Sequence, residues 1–365
     1  MKHLILSHKT TSALLRYCCL IGFCVLLAGC QVNVTLPNIT SGSPGTSGSG
    51  SCQSNCNPGT GANGLSVIVE PDNGVTPLVN AIDGAKKSVW LEIYLLTNKN
   101  IISALEDDAN HGIDVRVMLE PHPLGGGSVT PSETLDKLKA AGIKAQFSDP
   151  AFKLTHEKGM VIDNTTAYIM TSNFSNAALG TGTGLKNREY DIVDTNATDV
   201  QAVATIFQAD WNHSTASFND ANLVVSPVNS RTDFATLIGS AKQTLLIEAE
   251  EMNDDAIEQA IVSAEQHGVK VEVILPSPSG SAKDSNQDGI DVIKNGGVVV
   301  HEDKHLYMHA KIIVVDGKEA FVGSENISTQ SLDANRELGL IVSDSGVLNT
   351  LQQMFQIDWN ASVKV

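Results

Sequence analysis

The chain has 365 residues and a formal net charge of −17 at neutral pH. That acidity weighs against nucleic-acid backbones and anionic bilayer surfaces as partners unless basic residues cluster locally. No cysteine follows Leu65, which excludes thiolate metal sites from the rest of the chain.

Residues 1–29 carry Lys2, Lys9 and Arg16, no acid, and an apolar run from Cys18 to Leu27 that is too short to span a bilayer. This is the pattern of a secretory signal. It ends in Leu27-Ala28-Gly29-Cys30, which resembles the bacterial lipobox. The resemblance implies a lipid on Cys30, a membrane anchor and a place in the bacterial cell envelope. Gln31 stands where an Asp would favour inner-membrane retention, so the outer membrane is expected where two membranes exist. An ordinary signal peptide is the alternative. Without the three basic signal residues the net charge becomes −20. Residues 30–64 read as the lipidated cysteine and a Gly/Ser/Pro-rich tether, with a reach of about 30 Å. Cys52 and Cys56 lie in this tether, as a small disulfide or as two free thiols.

From residue 65 the chain repeats itself. Ala85-Lys86 and His111-Gly112 recur 156 residues later as Ala241-Lys242 and His267-Gly268, and Asp210-Trp211-Asn212 recurs as Asp358-Trp359-Asn360. The first repeat is expected at 65–220 and the second at 221–365. Strands are predicted at Val67–Glu70, Val89–Leu96 and Val115–Leu119, with helices at Pro77–Lys86 and Ile101–Asn110. The second repeat predicts strands at Leu223–Ser226, Leu245–Glu248 and Val271–Leu275, with helices at Asp233–Lys242 and Asp255–Gln266. Strands alternating with crossover helices predict an α/β fold: two repeats, each a mixed or largely parallel sheet flanked by helices. Packing about a pseudo-twofold axis would bring equivalent loops face to face. Trp211 and Trp359 are expected in the core under the last helices.

Late in each repeat comes His-x-Lys-x4-Asp: His156, Lys158 and Asp163, then His309, Lys311 and Asp316. Both motifs have strand character, so each His shares a face with its Lys, and each Asp would face the other side of an unbroken strand. Thr171-Ser172-Asn173 and Ser324-Glu325-Asn326 follow, then Asn187-Arg188-Glu189 and Asn335-Arg336-Glu337.

This set resembles the phospholipase D superfamily over nearly all of residues 65–365. Met170 for Gly323 and Thr171 for Ser324 are the departures between the copies. The resemblance implies a phosphodiesterase in which one neutral histidine attacks phosphorus and the other, protonated, protonates the leaving oxygen. It favours His156 for attack and His309 for the acid. Lys158, Lys311, Asn173 and Asn326 would hold the non-bridging oxygens, with Thr171 and Ser324 in the phosphate pocket. Glu189 and Glu337 would orient the imidazoles. Asp163 and Asp316 would be structural. No metal and no cofactor are expected.

Other patterns have plainer readings. His301, His305 and His309 are four apart, as for a metal face on a helix, but flanking apolar runs predict strand and loop. Asp284 to Gly289 matches the start of a calcium loop, but Asn295 stands where the closing Glu belongs, so an acidic loop before a helix is expected. The expected substrate is a phospholipid, hydrolysed or transferred to an alcohol, with cardiolipin synthesis when the acceptor is a second lipid. A monomer is expected and nucleic acid is not. A nuclease, which would need a positive cleft, and a non-catalytic anion- or partner-binding lipoprotein remain as alternatives.

Overall fold

The computed structural model describes residues 61–125, 129–278 and 284–365. The expected signal at 1–29, the lipidation at Cys30, the Cys52–Cys56 pair and nearly all of the tether lie outside the described residues. Both repeats fall in one compact unit, Asn55–Val365.

The first repeat runs β1 (Ser66–Glu70), α1 (Thr76–Asp83), β2 (Ser88–Ile93), α2 (Lys99–Asn110), β3 (Asp114–Leu119), α3 (Pro131–Ala140), β4 (Lys144–Phe147), β5 (Lys158–Ile162), β6 (Thr166–Met170), β7 (Asn187–Asp194) and α4 (Ala197–Trp211). The second opens with β8 (Leu223–Ser226), α5 (Ser230–Ser240), β9 (Thr244–Glu248), β10 (Met252–Asn253), α6 (Asp255–Gln266), β11 (Lys270–Pro276) and α7 (Gln287–Asn295). It continues with β12 (Val299–Asp303), β13 (Tyr307–Met308), β14 (Ile312–Val315), β15 (Glu319–Gly323), β16 (Ile327–Ser328), α8 (Thr329–Asp333), β17 (Glu337–Val342), α9 (Ser345–Ala361) and β18 (Val363–Lys364).

Each repeat forms a mixed sheet. The first has strand order β1-β7-β6-β5-β2-β3-β4 and the second β18-β12-β11-β9-β14-β15-β17-β8. β2-β3-β4 and β9-β11-β12 are parallel, as crossover helices require, while β5, β6 and β7 and their counterparts β14, β15 and β17 pair antiparallel. Equivalent helices start and stop by the same devices. Asn98 caps α2 and Asp254 caps α6 through side-chain acceptors, and Gly112 and Gly268 follow them at φ +87 and +89.

The two sheets pack against each other through one apolar layer. Val161, Ile169 and Ile192 of the first meet Ile312, Val322 and Leu338 of the second in a single buried cluster, while each sheet buries its outer face in a cluster of its own. That central layer is why the repeats behave as one body.

One predicted strand stops early, and its counterpart ends where expected. β2 ends at Ile93 instead of Leu96, whereas β9 ends at Glu248, as predicted. Ile93 pairs with Lys158 and Glu248 with Ile312 at the same sheet edge where the histidine segments enter. Beyond that edge the chain leaves the ladder, and Tyr94 and Glu250 face the space between the repeats. Asp163 and Asp316 sit just past β5 and β14, in turns at φ +55 and +53, so the unbroken strand behind the facing argument does not exist there.

Candidate active site

Each histidine segment runs beside the strand of the opposite repeat. Tyr307 and Met308 pair with Asn187 and Arg188, and Thr155 bridges Arg336. His156 N donates to Arg336 O at 2.9 Å, and Tyr307 N donates to Lys186 O at 2.8 Å. The two Asn-Arg-Glu motifs are thereby delivered to the opposite repeat, each beside the other repeat's histidine segment.

The carboxylates consequently cross over. Glu337 Oε2 lies 2.9 Å from His156 Nδ1, and Glu189 Oε2 lies 2.8 Å from His309 Nδ1. Each carboxylate is itself held. Asn335 Nδ2 and Ser331 Oγ donate to Glu337 Oε1 at 3.0 and 2.7 Å. Asn187 Nδ2 and Thr171 Oγ1 donate to Glu189 at 2.9 and 2.7 Å. With Nδ1 engaged, each ring has Nε2 for chemistry.

The arginines of the same motifs cross as well. Arg188 Nε donates to Asp358 Oδ2 at 2.6 Å, and Arg336 Nη2 donates to Asp210 Oδ1 at 2.8 Å. The matched Asp-Trp-Asn segments at the ends of the long helices therefore anchor the opposite repeat.

His156, His309, Asn173, Asn326, Asn187 and Asn335 line one cleft of about 570 Å³ between the repeats. Lys158 and Lys311 lie under its floor, with each Nζ donating to the carbonyl of its own histidine at 2.6 and 2.7 Å. Burial, reinforced by the Lys311 charge, pushes the Lys158 ammonium down to about 7. Burial also lowers His156, helped by the Lys158 and Lys311 charges and opposed by Glu337. Glu337 is held below the usual carboxylate range despite its burial, chiefly by His156 and Lys158.

Thr171 and Ser324, expected in the phosphate pocket, do not line the cleft. Both are fully buried, and each hydroxyl accepts a backbone N–H from the next strand, Tyr190 N at 2.8 Å and Leu338 N at 3.0 Å. Asp163 and Asp316 are remote from it too. The Asp163 carboxylate accepts the backbone N–H groups of Lys86, Lys87 and Ser88, and Asp316 accepts those of Lys242, Gln243 and Thr244. They clasp the turn before β2 and β9.

Sequence reasoning missed Glu250, Tyr94, Tyr307 and Ser331. Glu250 Oε2 accepts from Lys311 Nζ at 2.8 Å and lies 3.4 Å from His309 Nε2. His309, Lys311 and their charges hold Glu250 well below the ordinary carboxylate range against the cost of burial. A residue-by-residue comparison of the repeats would have exposed it, because it departs from Tyr94 two positions after the matched pair Glu92 and Glu248. Those two matched acids are buried behind the site, and burial raises both well above 4.5.

The remaining patterns resolve simply. His301 stacks on Trp359 at 3.6 Å and lies in β12, so the three histidines share no helical face. Trp211 stacks on Phe207 and Trp359 on Phe355; both are only partly buried, and Trp359 packs against the central layer. Asn286 turns its side chain inward, accepting from Met252 N at 3.0 Å and donating to Glu250 O at 2.9 Å, instead of facing a loop cation.

Comparison with known proteins adds kinship to this geometry. The family model described as "Cardiolipin synthase, PLD-like domain" matches residues 78–211 and 234–359. A cardiolipin synthase of Oceanobacillus iheyensis is 25% identical over 341 residues, covering 83% of this chain and 70% of that protein. The major cardiolipin synthase of Bacillus subtilis is 26% identical over 343 residues, with the same shares covered. Among solved structures, phosphatidylserine synthase from Haemophilus influenzae superposes with a TM-score of 0.62 at 15% identity, over 82% of this chain and 87% of that one. Polyphosphate kinase from Porphyromonas gingivalis gives 0.66 at 18% identity, over 82% of this chain. The chain spans about half, 48%, of that kinase, and both likenesses speak for the fold.

The relatives correct one expectation. A lipid-anchored place in the outer membrane does not stand, because the proteins matched are cardiolipin synthases and none of them supports it. Among the described residues no helix is long and apolar enough to cross a membrane.

Proposed function

The chain belongs to the cardiolipin synthase, phospholipase D-like family, and on that premise we propose that it moves phosphatidyl groups between alcohols through a covalent phosphohistidine, with water as a competing acceptor. The observation that carries this reading is the crossed pairing: two histidines in one cleft, each with a buried carboxylate on Nδ1.

The chemistry follows from the placement. A phosphodiester is anionic and its alkoxide leaves poorly. Nε2 of one neutral histidine attacks phosphorus, and the second histidine protonates the departing oxygen. Asn173 and Asn326 from the cleft wall, with Lys158 and Lys311 from below, stabilise the charge on the non-bridging oxygens. The acceptor alcohol reverses both steps. The Nδ1 carboxylates fix the tautomer throughout and compensate the imidazolium when it forms. One chain supplies both halves, so a monomer suffices.

The test is a product assay on purified protein with phosphatidylglycerol, phosphatidylcholine and single-stranded DNA in parallel, a chelator and a short primary alcohol being present. Phosphatidyl-alcohol and phosphatidic acid, or cardiolipin from phosphatidylglycerol, are expected. DNA cleavage without lipid turnover would refute the reading.

A further inference from the structure

The two sides of the cleft differ most at one pair of equivalent positions. An offset of 156 residues pairs Tyr94 with Glu250 and Leu95 with Glu251. In the first repeat, the Tyr94 ring stands edge-on to the His156 ring at 4.7 Å, and Lys158 Nζ lies 5.3 Å from the tyrosine centroid. In the second, Glu250 Oε2 touches both Lys311 Nζ and His309 Nε2, at 2.8 and 3.4 Å, while Oε1 accepts from the Tyr307 hydroxyl at 3.1 Å. The loop presenting Glu250 is pinned at its backbone by the buried Asn286.

We infer that Glu250 is a positioning residue that holds a proton on His309 Nε2, and so prepares His309 for the proton-donor role that the family resemblance gives it. The inference rests on the two-histidine reading above and deepens it. Glu189 already occupies Nδ1 of His309. With Glu189 hydrogen-bonded at Nδ1 and the Glu250 carboxylate in ionic contact at Nε2, the surroundings favour the imidazolium, which has no lone pair to attack with. His156 has its carboxylate partner on Nδ1, and its Nε2 lone pair remains for phosphorus.

The lysines sharpen the difference. Lys311 Nζ lies 3.2 Å from His309 Nδ1, and Glu250, 2.8 Å from the same ammonium, offsets its charge. Lys158 donates to a carbonyl and faces a neutral tyrosine, so its charge opposes protonation of His156. The charged groups around His309 are Lys311 on its own segment, with Tyr307 beside it, Glu189 from β7, and Glu250 and Glu251 from the loop after β9. Across the cleft stand His156, Lys158 and Glu337. Glu250 and Glu251 are the two acids with uncharged counterparts, and Glu250 is the one in contact with the imidazole.

The steps balance. The His156 lone pair forms the N–P bond as the P–O bond to the departing alcohol breaks, and that oxygen takes the proton from His309 Nε2. The acceptor hydroxyl then returns a proton to His309 as its oxygen bonds phosphorus, and the N–P electron pair goes back to His156. Glu250 stays ionised on Lys311 throughout, and the acceptor's proton restores the starting imidazolium.

The experiment uses the whole chain with phosphatidylglycerol in mixed micelles. One readout is the pH dependence of kcat/KM in wild type, Glu250→Gln and Glu250→Asp. The other is the position of the phosphoryl adduct, trapped by alkaline quench and located by peptide mass spectrometry. The wild-type adduct is expected on His156. Glu250→Gln should move the alkaline limb down by about 1–3 pH units, the range set by removing an opposite charge at this distance. Glu250→Asp keeps the charge and should restore the limb. An unmoved limb in Glu250→Gln overturns the inference. So does a wild-type adduct on His309, which needs no variant to fold. Absence of any adduct in wild type refutes the two-histidine reading itself, a result distinct from either of these.

Discussion

Glu337 Oε2 lies 2.9 Å from Nδ1 of His156, although 181 residues separate them in the chain and they belong to different repeats. Glu189 and His309 repeat the relationship in the opposite sense. Neither repeat therefore holds a complete histidine site. Each supplies a ring and orients the other's ring, so the catalytic geometry depends on the packing between the sheets.

That dependence makes the carboxylates strong test positions. His156→Ala and His309→Ala should each abolish product formation. Glu337→Gln and Glu189→Gln keep the shape but lose the charge that orients and compensates the imidazole. Each should lower kcat by about 10²–10⁴, the scale of one acid–base contribution. Steady-state product assays on folded protein check this. Loss of less than tenfold in both Gln variants would remove the orienting role.

Burial and the two ammonium groups lower the proton affinity of His156, while Glu337 raises it. A nucleophilic His156 must be neutral, so the acid limb of kcat/KM should lie below 6.5, the ordinary imidazole value. Removing the Glu337 charge in Glu337→Gln removes the raising influence, and the acid limb should move lower still even as the rate falls. A limb that rises in this variant would contradict the sign. The pH profile of residual activity decides.

In the proposed mechanism Lys158, Lys311, Asn173 and Asn326 carry the charge at phosphorus, so turnover should persist in excess chelator. The covalent intermediate should partition between water and added primary alcohol. Two in-line displacements should retain configuration in a chiral phosphorothioate diester. Inversion would indicate a single displacement and no phosphohistidine.

The Arg188–Asp358 pair joins the repeats with both side chains 4% exposed. Arg188→Met strands a buried carboxylate and should cost about 3–5 kcal/mol in denaturant unfolding. The double variant Arg188→Met, Asp358→Leu removes both charges and should recover most of that loss. A double variant as unstable as the single would mean the arginine acts through packing alone.

Much of this protein was legible in the residues themselves. The duplication, the strand–helix alternation and the eight side chains that gather at or beneath the cleft all follow from local pattern, because periodicity and a repeated motif are properties of short segments. The clasp made by Asp163 was foreseen as structural, but on a false premise, since the strand ends at Ile162 and the Asp accepts backbone N–H groups from a turn 75 to 77 residues away. Three things were decided only by the tertiary structure. The crossing of Glu337 to His156 and of Arg188 to Asp358 needs the register between two sheets, which no one-dimensional spacing encodes. Thr171 and Ser324 leave the cleft because the adjacent strands claim their hydroxyls for backbone hydrogen bonds. Glu250 enters the site because β9 stops at Glu248 and Asn286, distant in sequence, pins the turn that follows. Local chemistry names the groups a segment can offer, and the long-range packing of apolar faces determines which of them meet.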